Sequence, residues 1–152
     1  MTGDNQAVNH ILEQNSGLLI LQMNIRSINK NLDQFLVQLN SFKTYFHVLI
    51  LTECWLSETS TPKHIPSYQP FSTKPTNRQN DGVIVYVSEK LASSSSEVML
   101  FGANCLLTKL SICNRNINLL SIYRSPSVHN IDPFLDSLRP VLHELSTSSL
   151  II

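Results

Sequence analysis

The stretch HVLILTECWL, residues 47–56, constrains this chain most. Val48 to Leu51 form an unbroken aliphatic run of strand length, with no polar residue alternating through it. Such a run suits a strand buried on both faces. It leads into Glu53 and straight on to Trp55. A carboxylate at the end of a buried strand must be solvated, paired or bound to a metal, because burying it alone is costly.

The neighbouring segments make this strand part of a mixed α/β domain. LLILQM, residues 18–23, is another apolar run of strand length. Between the two runs, NKNLDQFLVQLNSF spaces Leu32, Phe35, Leu36, Leu39 and Phe42 along one helical face. Strand, helix and strand in that order suggest a crossover unit, while spacing leaves open whether the strands are parallel neighbours. Residues 57–81, with Pro62, Pro66, Pro70 and Pro75, read as a long irregular stretch, functional or disordered. GVIVYV, residues 82–87, is β-branched and aromatic and reads as a strand, and SSSSE reads as a break. CLLTKLSI and INLLSIY flank CNRN and predict an antiparallel hairpin.

IDPFLDSLRPVLHEL predicts a helix capped by Asp132, with Pro133 at its first position and Phe134, Leu135, Leu138, Val141, Leu142 and Leu145 as its apolar stripe. Pro140 should kink it or mark its weak point. SSLII at the end has the character of a further strand, and residues 1–16 that of a loose leader. The expectation is one domain over residues 17–152, truncated at its C-terminus.

Composition narrows the function classes. The charged fraction is 14% of 152 residues, against about 25% in ordinary domains. Eleven basic and eleven acidic residues cancel, and no basic patch runs along the chain. That counts against a stand-alone nucleic-acid-binding module, though less against an enzyme that grips nucleic acid through a few groups and a metal. Cys54, Cys105 and Cys113 lack metal-type pairing and lie in or beside apolar runs, as buried free thiols do. The N-terminus has no signal-peptide pattern and no run is long enough to span a membrane, so an intracellular protein, nuclear or cytoplasmic, is expected. Glycine occurs only at 3, 17, 82 and 102, which excludes glycine-rich nucleotide-cradling loops. The five histidines show no zinc-type spacing.

Candidate site residues lie at strand ends. Asn24 closes the first strand, Glu53 the second and Tyr123 the last, with Arg124 after it. In sheets with helical crossovers such groups gather in one crevice at the carboxyl ends of strands. A carboxylate beside an amide oxygen suits Mg²⁺, and a phenol and a guanidinium can both hold a phosphate oxygen. Each also has a structural reading. Asn24 would cap the turn into the helix, Glu53 would accept backbone N–H groups, Tyr123 would pack as a half-buried aromatic, and Arg124 would be solvated.

LQMNIRSINKNLDQF, HVLILTECWLSE, QNDGVIVYV and LLSIYRSPS, followed by an amphipathic helix, together resemble the endonuclease/exonuclease/phosphatase superfamily. The likeness is nearest to the apurinic-endonuclease-like domain of non-LTR, LINE-type retrotransposons, and runs from about Leu18 to Ile152. It implies a four-layer α/β sandwich of two packed sheets flanked by helices, present in part. It implies phosphodiester or phosphomonoester cleavage with Mg²⁺ or Mn²⁺, and DNA as the partner of the complete domain; no protein partner and no membrane are implied. By position, Asn24 matches the asparagine that organises metal and phosphate, Glu53 the metal-binding glutamate, and Tyr123 the tyrosine at the scissile phosphate, with Arg124 a helper.

The family continues into Gly-Asp-x-Asn and a later Ser-Asp-His, and neither occurs in these 152 residues. The glycine-rich turn before the VIVYV strand is reduced to Asp81-Gly82. The expectation is therefore a portion of a metal-dependent DNA endonuclease domain, inactive alone. The alternatives are a non-catalytic retroelement remnant, or a phosphoesterase of the same superfamily acting on a phospholipid or inositol phosphate.

Overall fold

The computed structural model describes residues 17–59, 61–76 and 80–145. Four strands, β1 (Ile20–Asn24), β2 (Val48–Thr52), β3 (Tyr68–Ser72) and β4 (Val83–Ser88), form one sheet in the order β1-β2-β4-β3. Three more, β5 (Ala92–Glu97), β6 (Ala103–Ile112) and β7 (Arg115–Arg124), form a second sheet in the order β5-β6-β7. Helix α1 (Ile28–Ser41) joins β1 to β2, and α2 (Asp132–Leu145) follows β7. β1 and β2 are parallel, as a helical crossover requires, and all other pairings are antiparallel.

The two-sided burial of β2 is what stacks the layers. Leu49 and Leu51 point one way, into a cluster with Ile28, Leu32 and Phe35 of α1 and with Ile84 and Tyr86 of β4. Val48 and Ile50 point the other way, into a cluster with Val83, Val85 and Val87 and with Leu106, Leu110 and Leu119 of the second sheet. The alternation follows from the two-residue period of a strand. Helix α1 therefore lies outside the first sheet, and the two sheets pack face to face. On the second sheet's side α2 is tied by a hydrogen bond from the Phe101 N–H to Ser137 Oγ at 3.0 Å. The expected α/β sandwich is present.

Several local expectations are corrected. The irregular stretch 57–81 contains β3, which is bonded to β4 alone, with Pro70 opposite Tyr86. An edge strand tolerates a proline because one side of its ladder needs no donor. The supposed break at SSSSE is β5, whose serines alternate between exposed and half-buried. Serine has little intrinsic strand preference, and register with β6 decides the matter, with Ser95 Oγ and Thr108 Oγ1 3.0 Å apart. The hairpin turn holds Cys113 and Asn114 at φ of 48° and 60°, the conformation of a two-residue primed turn. That leaves Cys113 exposed, against the expectation for all three thiols, while Cys54 and Cys105 are buried and pushed up to about 12 by desolvation.

In α2 only Leu145 is fully buried, and Leu135 and Leu142 of its expected stripe are exposed. The helix continues through Pro140. The leader and the SSLII segment lie outside the described residues. Among the described residues no helix is long and apolar enough to cross a membrane.

His47, just before β2, is buried with Nδ1 accepting the Leu19 N–H at 3.0 Å, so the proton of the neutral ring sits on Nε2, which has no partner among the described residues. Desolvation, and then the charge of Lys90, lower its pKa. The unfolded chain thus binds a proton near pH 6.5 that the folded chain resists. The stability contribution of the neutral ring is complete above about pH 6.5 and is lost as the pH falls from there toward the lowered folded value. The melting temperature should drop across this window, and by less in His47→Asn, whose side-chain oxygen can still accept from Leu19. An equal drop in both proteins would remove His47 as the cause.

Candidate functional site

One end of the sandwich collects polar groups from both sheets. Parallel β1 and β2 finish there side by side, with Asn24 opposite Thr52, and antiparallel β4 begins there, with Val83 opposite Thr52. From the second sheet, β6 begins and β7 ends at the same place, with Asn104 opposite Tyr123.

The backbone at this end is tightly sewn. Beyond β1, the N–H groups of Ile25, Ser27 and Ile28 donate to the carbonyls of Thr52, Glu53 and Cys54 at 2.9, 2.8 and 3.0 Å. Asn31 Nδ2 holds the turn from within α1 by donating to the Ile25 and Arg26 carbonyls at 2.8 and 2.6 Å. On the far side, the N–H groups of Cys54 and Trp55 donate to the carbonyls of Gly82 and Asp81 at 3.2 and 2.9 Å. Four non-glycine residues here, Arg26, Ser27, Glu53 and Trp55, have positive φ, between 51° and 88°. Each such residue is held against a local cost of order 1–3 kcal/mol, a kind of strain that gathers at functional sites.

Glu53 is half-buried, and its Oε1 accepts a hydrogen bond from Asn24 Nδ2 at 2.8 Å. The amide is oriented by buried Thr52, whose hydroxyl donates to Asn24 Oδ1. Asn24 does not cap α1, whose N-cap Ser27 also makes no side-chain capping bond. Burial pushes the Tyr123 phenol above its ordinary value; the charges of Glu53 and Asp81 and its hydrogen bond to Glu53 add to the rise. The phenol therefore stays protonated at neutral pH, as a hydrogen-bond donor beside the carboxylate.

Arg124 does not join this group. Consecutive strand residues face opposite sides of a sheet. Its guanidinium donates to the carbonyls of Val128 and Asn130 and lies 5.8 Å from the Phe134 ring centre.

Residues outside the four candidates complete the arrangement. Asn104, buried, accepts the Gly82 N–H on Oδ1 at 3.0 Å. Asp81 is also buried: its Oδ2 accepts from Thr76 Oγ1 at 3.3 Å and its Oδ1 has no partner among the described residues. Trp55 lies beside them under the Lys30 ammonium, 5.8 Å from the ring centre. The donors here are carboxylate, amide and hydroxyl oxygens, the set that hard divalent cations prefer. No three His, Cys, Asp or Glu side chains cluster for a metal among the described residues.

No family model matches the sequence, and no curated protein matches it. Solved structures do. The endonuclease domain of TRAS1, a telomere-specific non-LTR retrotransposon, superposes with a TM-score of 0.62 at 13% identity, over 83% of this chain and 54% of that one. The AP endonuclease LMAP from Leishmania major superposes with a TM-score of 0.65 at 19% identity, over 84% of this chain and 48% of that one. An endonuclease/exonuclease/phosphatase family protein from Leptotrichia buccalis superposes with a TM-score of 0.59 at 14% identity, over 89% of this chain and 64% of that one. The fold of this chain is that of the endonuclease/exonuclease/phosphatase proteins, and the chain spans about half the length of the first two structures it matches.

Proposed function

We propose that this chain, with its endonuclease/exonuclease/phosphatase fold, is the metal- and phosphate-holding portion of a nuclease-type phosphodiesterase that acts on DNA. The observation that carries the reading is Glu53 at the end of a buried strand, held by Asn24 at 2.8 Å and faced by the Tyr123 phenol. The hard oxygen donors at this end fit Mg²⁺ or Mn²⁺, with Glu53 as the principal ligand. Glu53 would hold such an ion there, and the ion would supply charge neutralisation for the carboxylate and Lewis-acid polarisation of a phosphoryl oxygen. Asn24 orients the Glu53 carboxylate, and Thr52 orients Asn24. Tyr123, protonated, can donate a hydrogen bond to a phosphate oxygen. Arg124 pins the loop that leads into α2 and is given no part in phosphate binding. The likeness to a retrotransposon endonuclease domain and to an AP endonuclease supports DNA as the substrate class.

Hydrolysis also needs a group that takes a proton from water, typically worth about 10²–10⁴ in rate. The 152 residues contain no Gly-Asp-x-Asn and no Ser-Asp-His, and no residue at this end is assigned that role. The chain alone is expected to bind a divalent cation and leave DNA uncut.

Mn²⁺ titration followed by isothermal calorimetry tests the first half of that statement, and incubation with supercoiled plasmid the second. Glu53→Gln should weaken Mn²⁺ binding by about tenfold or more, beyond the effect of losing a supporting residue. Unchanged Mn²⁺ binding in Glu53→Gln would sink the reading. Metal-dependent nicking by the wild-type chain would show that a water-activating group is present after all.

A further inference from the structure

Asp81 has no part in the site built around Glu53, yet among the described residues it alone has a buried carboxylate oxygen without a partner. It is 6% exposed, and its Oδ1 is buried without a partner among the described residues. A buried carboxylate oxygen left unpaired is costly, and native proteins resolve it with a donor, a proton or a cation. Its position is fixed from two sides. The Trp55 N–H donates to the Asp81 carbonyl at 2.9 Å and the Cys54 N–H to the Gly82 carbonyl at 3.2 Å, which ties the segment to the residues after Glu53. The Gly82 N–H donates to Asn104 Oδ1 at 3.0 Å, and Asn104 lies opposite Tyr123 in register. The segment bearing Asp81 is thus held between the one bearing Glu53 and the strand pair bearing Tyr123.

We propose that Asp81 is a second carboxylate ligand of the divalent-cation site at Glu53, with the cation held between the end of β2 and the start of β4. This rests on Glu53 being a cation ligand, as proposed above. Thr52, the residue before Glu53, lies opposite Val83 in register, and the Trp55 N–H is bonded to the Asp81 carbonyl, so Asp81 and Glu53 sit on adjoining backbone segments at one end of the first sheet. Two carboxylates there would repel a phosphodiester unless a cation sat with them, and a divalent ion balances the pair. A cation also supplies the partner that Oδ1 lacks. The competing account is an Asp81 that serves only the fold.

Terbium, a hard oxygen-seeking ion, is the probe. Trp55 is the chain's only tryptophan, two residues from Glu53 and bonded to the Asp81 backbone, so it should sensitise Tb³⁺ emission from this site. Excitation of Trp55 in the wild-type chain should give Tb³⁺ luminescence that Mn²⁺ displaces. Glu53→Gln and Asp81→Asn should each weaken Tb³⁺ and Mn²⁺ binding by about tenfold or more. If Glu53→Gln weakens binding and a folded Asp81→Asn does not, the proposal for Asp81 is overturned while the Glu53 site stands. If neither weakens it, both fall.

Should Asp81→Asn fail to fold, carboxyl-carbon NMR of the wild-type chain decides instead. Mg²⁺ should shift the side-chain carboxyl resonances of both Glu53 and Asp81, and a shift at Glu53 alone overturns the proposal.

Discussion

Leu49→Ala should bring this chain to the edge of unfolding. Leu49 has no exposed surface and sits mid-strand in β2, opposite Leu21 on one side and Tyr86 on the other. Its side chain packs into the cluster with Ile28, Leu32 and Phe35 that glues α1 to the sheet. Truncating a fully buried leucine removes its transfer free energy and leaves a cavity that a central strand cannot collapse to fill. The expected loss is about 2–5 kcal/mol, set against a total of about 5–15 kcal/mol for an ordinary domain. Urea unfolding followed by far-ultraviolet circular dichroism measures it. Val37→Ala, on the same layer but with Val37 71% exposed, should change stability by no more than about 0.5 kcal/mol. Equal losses in the two variants would mean that α1 does not pack on the sheet through the Leu49 face.

Gly82→Ala should damage both stability and the candidate site. Gly82 has φ +114°, a conformation that side-chain-bearing residues rarely adopt. A Cβ there would meet Leu56 Cγ at 3.2 Å and Cδ1 at 3.3 Å, with Cys54 Cβ at 3.6 Å. Backbone strain and crowding against a buried leucine each cost about 1–3 kcal/mol, so a loss of about 2–6 kcal/mol is expected. The alternative for the chain is to swing the 81–82 backbone away, breaking the bonds to Cys54, Trp55 and Asn104. Glu53 would then lose its neighbouring segment, and cation binding should fall with stability. Gly82→Ala together with Leu56→Ala relieves the crowding but not the φ, so it separates the two causes. A Gly82→Ala protein with wild-type melting temperature and wild-type Mn²⁺ binding would remove the turn from both arguments.

The layered core was legible because its signals are local and strong. The run from Val48 to Leu51 suits a strand buried on both faces, and the spacing of Leu32 and Phe35 suits one face of a helix. The hairpin around Cys113 and Asn114 and the helix opened by Asp132-Pro133 were legible for the same reason. β3 and β5 were not. Tyr68–Ser72 carries a proline and Ala92–Glu97 is mostly serine, so neither advertises a strand, and both exist because β4 and β6 offer an unpaired edge in register.

The site divides in the same way. Asn24, Glu53 and Tyr123 each stand at the end of an apolar strand, where a polar residue has no business unless something holds it, and that much lies in the sequence alone. Arg124 looked equivalent to Tyr123, but strand alternation turns the two to opposite faces, and only the packed sheets show which face meets Glu53. Asp81 gave little local sign, since an Asp-Gly pair before a strand reads first as a turn. It becomes a neighbour of Glu53 because β4 runs antiparallel to β2, so the start of one lies beside the end of the other. Local patterning thus determined which segments are buried and where polar groups interrupt them. Which of those groups meet was decided by strand direction and by the packing of two sheets, because contacts between residues far apart in the chain leave no trace in the spacing of either segment.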